Sequence, residues 1–284
     1  MHGRTALLLA AIGVLVGVVG ACDARDSVTT AQVLGLHYAA NSNISASGSY
    51  VPGRLGFNLA DIGSKDELDG LPKGVKGLVY LGLCHGADVS FRTQVSPYAG
   101  DPKLFGFYLL DEPDPTSCAA TSLAAESAYI HAHIRGARTF LLVQNLASSR
   151  TPTFRQGYTR ANTGIDLFGI DPYPCRSELG RCDFGMIERY VRAAERDGIP
   201  AATIVPVFQT FGGGQWVDDG DGRYVLPTPS QATRLLQTWQ QLIPHPVFDF
   251  VYSWGVQRND RTLGVASAAL QHVFTAHNHG STSR

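Results

Sequence analysis

Six stretches of this 284-residue chain share one plan, an apolar run that ends on polar or aromatic residues. They span residues 77–85, 104–113, 139–145, 167–174, 204–211 and 248–255. Short continuous apolar runs read as strands buried on both faces, the habit of parallel sheets. Parallel α/β barrels gather their chemistry at the carboxyl ends of their strands. The six polar endings therefore predict the rim of one pocket. The sharpest lies at residues 106–113, where a strand runs straight into Asp111-Glu112-Pro113.

Counting every apolar run gives eight strands, at 33–38, 55–59, 78–83, 104–110, 140–143, 167–170, 203–208 and 248–254. Amphipathic stretches at 122–135, 186–198, 230–242 and 264–277 read as helices between and after them. Ser64-Lys65-Asp66-Glu67 is a capping-box pattern that starts a short helix, and Asp183 is placed to cap another. Strands alternating with helices predict a single (β/α)8 TIM barrel over residues 33–277, followed by a polar tail at 278–284. Its first βα unit is irregular, because 41–51 reads as loop. A doubly wound open sheet is the alternative. It would carry a glycine-rich phosphate turn after its first strand, and none follows residues 33–38.

Residues 1–22 have the pattern of an export signal: Arg4, then the apolar run 6–19, then Gly20 and Ala21. Val19-Gly20-Ala21-Cys22 resembles a bacterial lipobox, which implies cleavage before Cys22 and lipid on its thiol. The chain is then exported to the cell envelope. It is anchored in the lipid bilayer at the outer face of the cytoplasmic membrane, with 23–32 as a short tether. The four remaining cysteines, Cys84, Cys118, Cys175 and Cys182, suit two disulfides in an oxidising compartment. If strand ends share one face, Cys84–Cys118 and Cys175–Cys182 are the short-range pairs. No metal-ligand spacing and no cofactor motif is present, so neither is expected. A net charge of −1 with 17% charged residues and no basic stripe argues against nucleic acid as a partner.

Glycosidic cleavage needs a carboxylic acid to protonate the leaving oxygen, and usually a second carboxylate to attack or to activate water. Glu112, ending the fourth strand in apolar surroundings, fits the acid. In this the chain resembles the retaining (β/α)8 glycosidases, whose acid/base glutamate closes the fourth strand in an Asn-Glu-Pro-like motif. Asp111 stands at the Asn position. Asp171-Pro172-Tyr173-Pro174 and Ser253-Trp254-Gly255 resemble that superfamily's sixth and eighth strand ends. The resemblance implies a carbohydrate substrate. It departs at the seventh strand, where the family's nucleophilic glutamate is replaced by Gln209.

Three readings follow. Glu112 can work with Asp171 or Asp111 as partner carboxylate. Asp111-Glu112 also resembles the adjacent pair of the substrate-assisted hexosaminidases, in which the substrate's own acetamido group attacks. Or the barrel binds glycan at the cell surface without cleaving it. Tyr173, Gln209, Trp216, Trp254, His37 and Asn145 are the expected substrate contacts, the aromatic ones by stacking on sugar C–H faces. Tyr252, inside its strand, reads as core packing. Trp216 follows three glycines, so its loop could fold over a ligand. Asp218–Asp221 after it reads as a turn.

Overall fold

A computed structural model describes residues 35–217 and 222–280. Cys22, the tether 23–32, Val33, Asp218–Asp221 and most of the polar tail lie outside the described residues. The strands are β1 (Leu36–Ala39), β2 (Leu59–Ile62), β3 (Lys76–Tyr80), β4 (Leu104–Asp111), β5 (Arg138–Leu142), β6 (Leu167–Ile170), β7 (Ile204–Gln209), β8 (Phe211–Gly212), β9 (Phe248–Tyr252) and β10 (Arg261–Thr262). The helices are α1 (Lys65–Gly70), α2 (Val89–Val95), α3 (Ala120–His133), α4 (Arg160–Thr163), α5 (Gly185–Arg196), α6 (Pro229–Leu242) and α7 (Ala268–Asn278). Strands β1 to β7 and β9 form a closed parallel barrel, with β9 pairing back onto β1. The chain is a (β/α)8 TIM barrel. β8 and β10 form a separate antiparallel ribbon beside it.

Strand parity sorts the side chains into two cores. Leu59, Leu78, Phe140, Leu167, Val205, Val207, Phe248 and Phe250 fill the barrel interior. Residues of opposite parity, such as Val79, Phe107, Leu141, Phe168 and Val251, pack under the helices. Gly169 shows how tight the interior is, since a Cβ there would lie 2.6 Å from Leu142 and 2.8 Å from Phe140. Going up each strand, the inward positions change from apolar to polar. Leu59 gives way to Asp61, Leu78 to Tyr80, Phe250 to Tyr252, and Val207 to Gln209. The polar end of that gradient is the carboxyl end of the barrel.

Helix signals act where the sequence puts them. Ser64 accepts from the Glu67 backbone at the start of α1. Thr228 and Gln231 cap α6 reciprocally, with Pro229 in its first turn. Gly198, at φ 97°, ends the turn after α5. Asp183 serves the start of α5 from one residue further out: Phe184 directly precedes the helix without a side-chain cap, and the Asp183 carboxylate meets the backbone N–H groups of Gly185 and Met186 as well as Arg189 at 2.7 Å.

The second strand also differs from the sequence reading. Pro52–Leu55 is a turn of 3-10 helix, Gly56 turns the chain at φ 84°, and β2 starts only at Leu59. Leu55 and Phe57 are apolar because they are buried in the outer core, where Phe57 meets the Trp254 ring edge-on. The irregular first βα unit is present as a loop. Both disulfides, Cys84–Cys118 and Cys175–Cys182, are formed. No helix among the described residues is long and apolar enough to cross a membrane.

Candidate active site

A cavity of about 300 Å³ opens at the carboxyl end of the barrel. Asp111 and Glu112 from the end of β4, Asp171 and Tyr173 after β6, and Tyr252 at the end of β9 line it. Trp216, from the loop after β8, and Tyr224 form part of its wall. The sequence thus brings Asp111, Glu112, Asp171, Tyr173, Trp216 and Asn145 to one place.

Glu112 is held by backbone geometry. Its N–H donates to the Leu142 carbonyl at 3.0 Å, and its φ is 41°. A non-glycine residue pays on the order of 1–2 kcal/mol for left-handed backbone. Such strain collects where a side chain must be aimed. Next to it, the Tyr108 hydroxyl donates to Asp111 Oδ1 at 2.5 Å. Asp111 reaches solvent through the pocket mouth, but protein crowds its other sides. That crowding raises its carboxyl above the usual range, and the Tyr108 bond only partly offsets the rise.

Asp171 is perturbed more strongly than Asp111. Burial pushes its carboxyl well above the ordinary value, and the Glu112 and Asp111 carboxylates push it further; a bond from Tyr173 opposes them. Neighbouring like charges disfavour full ionisation, so the two carboxylates act on Asp171 in the same direction as its burial.

Aromatic rings wall the cluster. Tyr173 packs edge-on against Phe211 at 5.0 Å and Tyr224 at 5.6 Å, and parallel to Tyr252 at 6.0 Å. The Arg176 guanidinium covers the Tyr224 ring at 5.3 Å and its Nε donates to the Tyr173 carbonyl at 3.0 Å. Asn145 lines the cavity, but its amide also binds its own loop. It donates to the Ala147 carbonyl and to the Tyr190 hydroxyl, and accepts from Thr153 N–H at 3.0 Å.

Three expected contacts lie elsewhere. Gln209 is buried with its amide engaged on every side. It accepts from Cys175 N–H at 2.8 Å and donates to the carbonyls of Cys175 and Val225. It clips the loop after β6 to the end of β7. His37 points out of the barrel, because its neighbour Tyr38 takes the inward position. Its Nδ1 meets both Asp249 oxygens at 2.9 Å, and His277 reaches the same carboxylate at 2.7 Å. Trp254 is buried in the outer core under Arg54, whose guanidinium lies 5.2 Å from its ring. The pleat ends at Tyr252, so the parity linking Tyr252 to Trp254 no longer holds, and the pocket receives Tyr252 instead. The Tyr252–Ser253 peptide is cis.

His37, Asp249 and His277 are also the one grouping of three metal-type donors among the described residues. One ring nitrogen of each histidine and both Asp249 oxygens meet in direct hydrogen bonds.

Sequence reasoning gave no role to Tyr80, Tyr108, Tyr190, Tyr224 and Arg176. An inward-facing tyrosine near the polar end of several strands was the available signal for the first two. It also left Asp61 without a role. This residue lies near the top of β2, where it accepts from Asn41 N–H at 3.0 Å and bonds the Tyr38 hydroxyl.

No protein-family model matches this chain, and no curated protein matches it in sequence. Solved structures do share its fold. The GH18 chitinase ChiB from the chitin utilization locus of Flavobacterium johnsoniae aligns over 86% of this chain and 93% of its own, at 9% identity and a TM-score of 0.54. A GH18 chitinase from Cycas revoluta, in complex with (GlcNAc)3, aligns over 87% and 100%, at 13% identity and 0.55. Catalytic domain 2 of the Group II chitinase of Ostrinia furnacalis aligns over 88% and 97%, at 14% identity and 0.55. With the closed eight-stranded barrel, these likenesses show that the chain shares the (β/α)8 fold of these chitinases.

Proposed function

We propose that this barrel is a glycoside hydrolase in which Glu112 donates the proton and Asp111 and Asp171 are its partner carboxylates. The observation that carries the reading is the grouping of Asp111, Glu112 and Asp171 on one aromatic-walled cavity, where burial and like charge raise the Asp171 carboxyl. In the reaction the glycosidic C–O bond breaks and the Glu112 proton passes to the leaving oxygen. Water then supplies the hydroxyl at the anomeric carbon and returns a proton to Glu112. The locked amide of Gln209 leaves the end of β7 without a nucleophile. Attack therefore falls to Asp171 or Asp111, directly or through water, or to an acetamido group on the substrate. The chitinase neighbours make glycans containing N-acetylglucosamine the first substrates to try.

The test is reducing-sugar release from chitooligosaccharides and from bacterial and plant glycans. Glu112→Gln should lose about 10²–10⁴-fold in rate. Equal rates in both proteins would remove Glu112 from the role, and the anomer first formed separates retention from inversion.

One observation favours a second reading. The Gln209 amide at the seventh strand end suits a barrel that binds glycan without cutting it. Saturable binding with no product from wild type would select it. Under either reading the chain is exported and tethered through lipid on Cys22. A fatty-acid analogue should label the wild type in cells and not Cys22→Ala; equal labelling would remove the anchor.

A further inference from the structure

We propose that Asp260 and Arg258 are positioning residues that lock Trp216 as a stacking platform for one sugar ring of an extended glycan. The proposal rests on the glycan reading above and adds the part of the site that fixes where a chain of sugars lies.

The Trp216 indole N–H donates to Asp260 Oδ2 at 3.1 Å. The other oxygen of Asp260 accepts from Gln257 N–H at 2.7 Å, and the side chain is buried, with 5% of the residue exposed. The Arg258 guanidinium lies 4.3 Å from the Trp216 ring centroid and backs one face. Phe211 and Tyr252 pack against the ring at steep angles, 69° and 79°. Trp216 also lines the cavity. A ring held by its nitrogen, one face and its edges is ordered before a ligand arrives, so less entropy is lost on binding.

The turn that supplies the lock is strained. Arg258 and Asn259 both have left-handed backbone, at φ 48° and 60°, and Asp260 N–H closes the turn on the Gln257 carbonyl at 2.9 Å. Two consecutive left-handed positions ordinarily call for glycine or asparagine. Glycine at 258 would fit the backbone better, but it would bring no guanidinium to the ring. The two loops also meet closely. Gln215 N–H donates to the Arg258 carbonyl at 3.0 Å. A Cβ on Gly214 would lie 2.5 Å from that same oxygen.

Trp216 offers its own signal, because Trp239 and Trp254, the other tryptophans of the chain, are buried away from the cavity. The experiment titrates tryptophan emission of the full chain with pentasaccharides of N-acetylglucosamine and of glucose. A saturable change is expected in wild type and none in Trp216→Phe. Asp260→Asn and Arg258→Gly should weaken binding roughly fivefold to tenfold, the worth of an aromatic contact. In turnover, the loss should fall on KM rather than kcat. Arg258→Gly should melt at a higher temperature than wild type while binding less well, a combination that a purely structural role does not produce.

Unchanged affinity in both lock variants, a saturable change that persists in Trp216→Phe, or no response of wild type to either pentasaccharide would overturn the platform. The outcomes separate from those for hydrolysis. Cleavage lost in Glu112→Gln with affinity intact leaves the platform standing. Cleavage intact with affinity unmoved in the lock variants removes the platform alone.

Discussion

Asp171, half-buried in the pocket, and Glu126, fully buried, are two carboxyls raised for different reasons, so they give different tests. Asp171 is raised by burial and by its carboxylate neighbours, and as an ionised neighbour it would raise them in turn. If the cluster supplies the catalytic proton, activity falls as pH rises through its shared titration. Asp171→Asn removes one of the like charges that hold the proton. The falling limb of kcat/KM against pH should therefore move to lower pH; a limb that stays put would take Asp171 out of the proton's environment.

Glu126 lies away from the cavity, on α3. Its Oε1 accepts from the backbones of His85 and Gly86, both at 3.0 Å, while its Oε2 is buried without a partner. Burial pushes it up to about 7 from an ordinary 4.5, against those two bonds. For a carboxyl raised on folding, the favourable contribution is present below the unfolded value and is lost as pH rises through the folded one. Glu126→Gln should therefore match wild type in thermal melts near pH 5 and exceed it near pH 8, by something on the order of 2 kcal/mol. Equal melts at both would show that the Oε2 charge finds relief the structure does not show.

At the scale of elements, the two disulfides divide stability from function. Cys84–Cys118 spans 34 residues and Cys175–Cys182 spans 7. Loop-closure entropy values them at about 4 and about 2 kcal/mol. The short one, though, braces the loop that carries Tyr173 and Arg176, and Gln209 clips that loop at Cys175. Replacing Cys84 and Cys118 with serine should cost more in urea midpoint, and replacing Cys175 and Cys182 more in glycan turnover. The reverse order would mean that the loop keeps its shape without its bridge.

The same elements show what the sequence made legible. Apolar runs separated by amphipathic helices are a strong signal, and they located the barrel and the strand ends that hold Asp111, Glu112, Asp171 and Tyr173. A run apolar throughout does not tell inward from outward positions, because a parallel strand is buried on both faces. That is why His37 and Trp254 read as pocket residues and Tyr252 as core. In the run 55–59, Leu55 and Phe57 are apolar for the outer core and only Leu59 belongs to the sheet, which displaced the second strand. Asp260 and Arg258 follow the last barrel strand in a polar loop, and only the fold brings them to Trp216.

The whole molecule closes where β1 meets β9 and α7 lies across the outside, and one ion cluster joins all three. His37 comes from β1, Asp249 from β9 and His277 from α7. Burial alone would raise Asp249, yet the two imidazoles hold its carboxyl far below the ordinary 3.8. Burial alone would lower His277, and the same carboxylate raises it above 6.5 instead. A depressed acid stabilises the fold above its unfolded value and loses that effect as pH falls through its folded one. A raised histidine stabilises below its unfolded value and loses that effect as pH rises through its folded one. The cluster is therefore at full strength between about pH 4 and 6.5. Glu126 adds a decline that runs through the same window, from about 4.5 to about 7. Urea midpoints across pH 3–9 should peak on the acid side of neutrality. Asp249→Ala, which leaves two imidazoles facing an empty place, should cost about 3–5 kcal/mol there. Its loss should shrink as pH rises and His277 gives up its proton. A stability maximum above pH 8, or an Asp249→Ala loss that does not vary with pH, would show that the seam closes by packing and strand pairing without help from these charges.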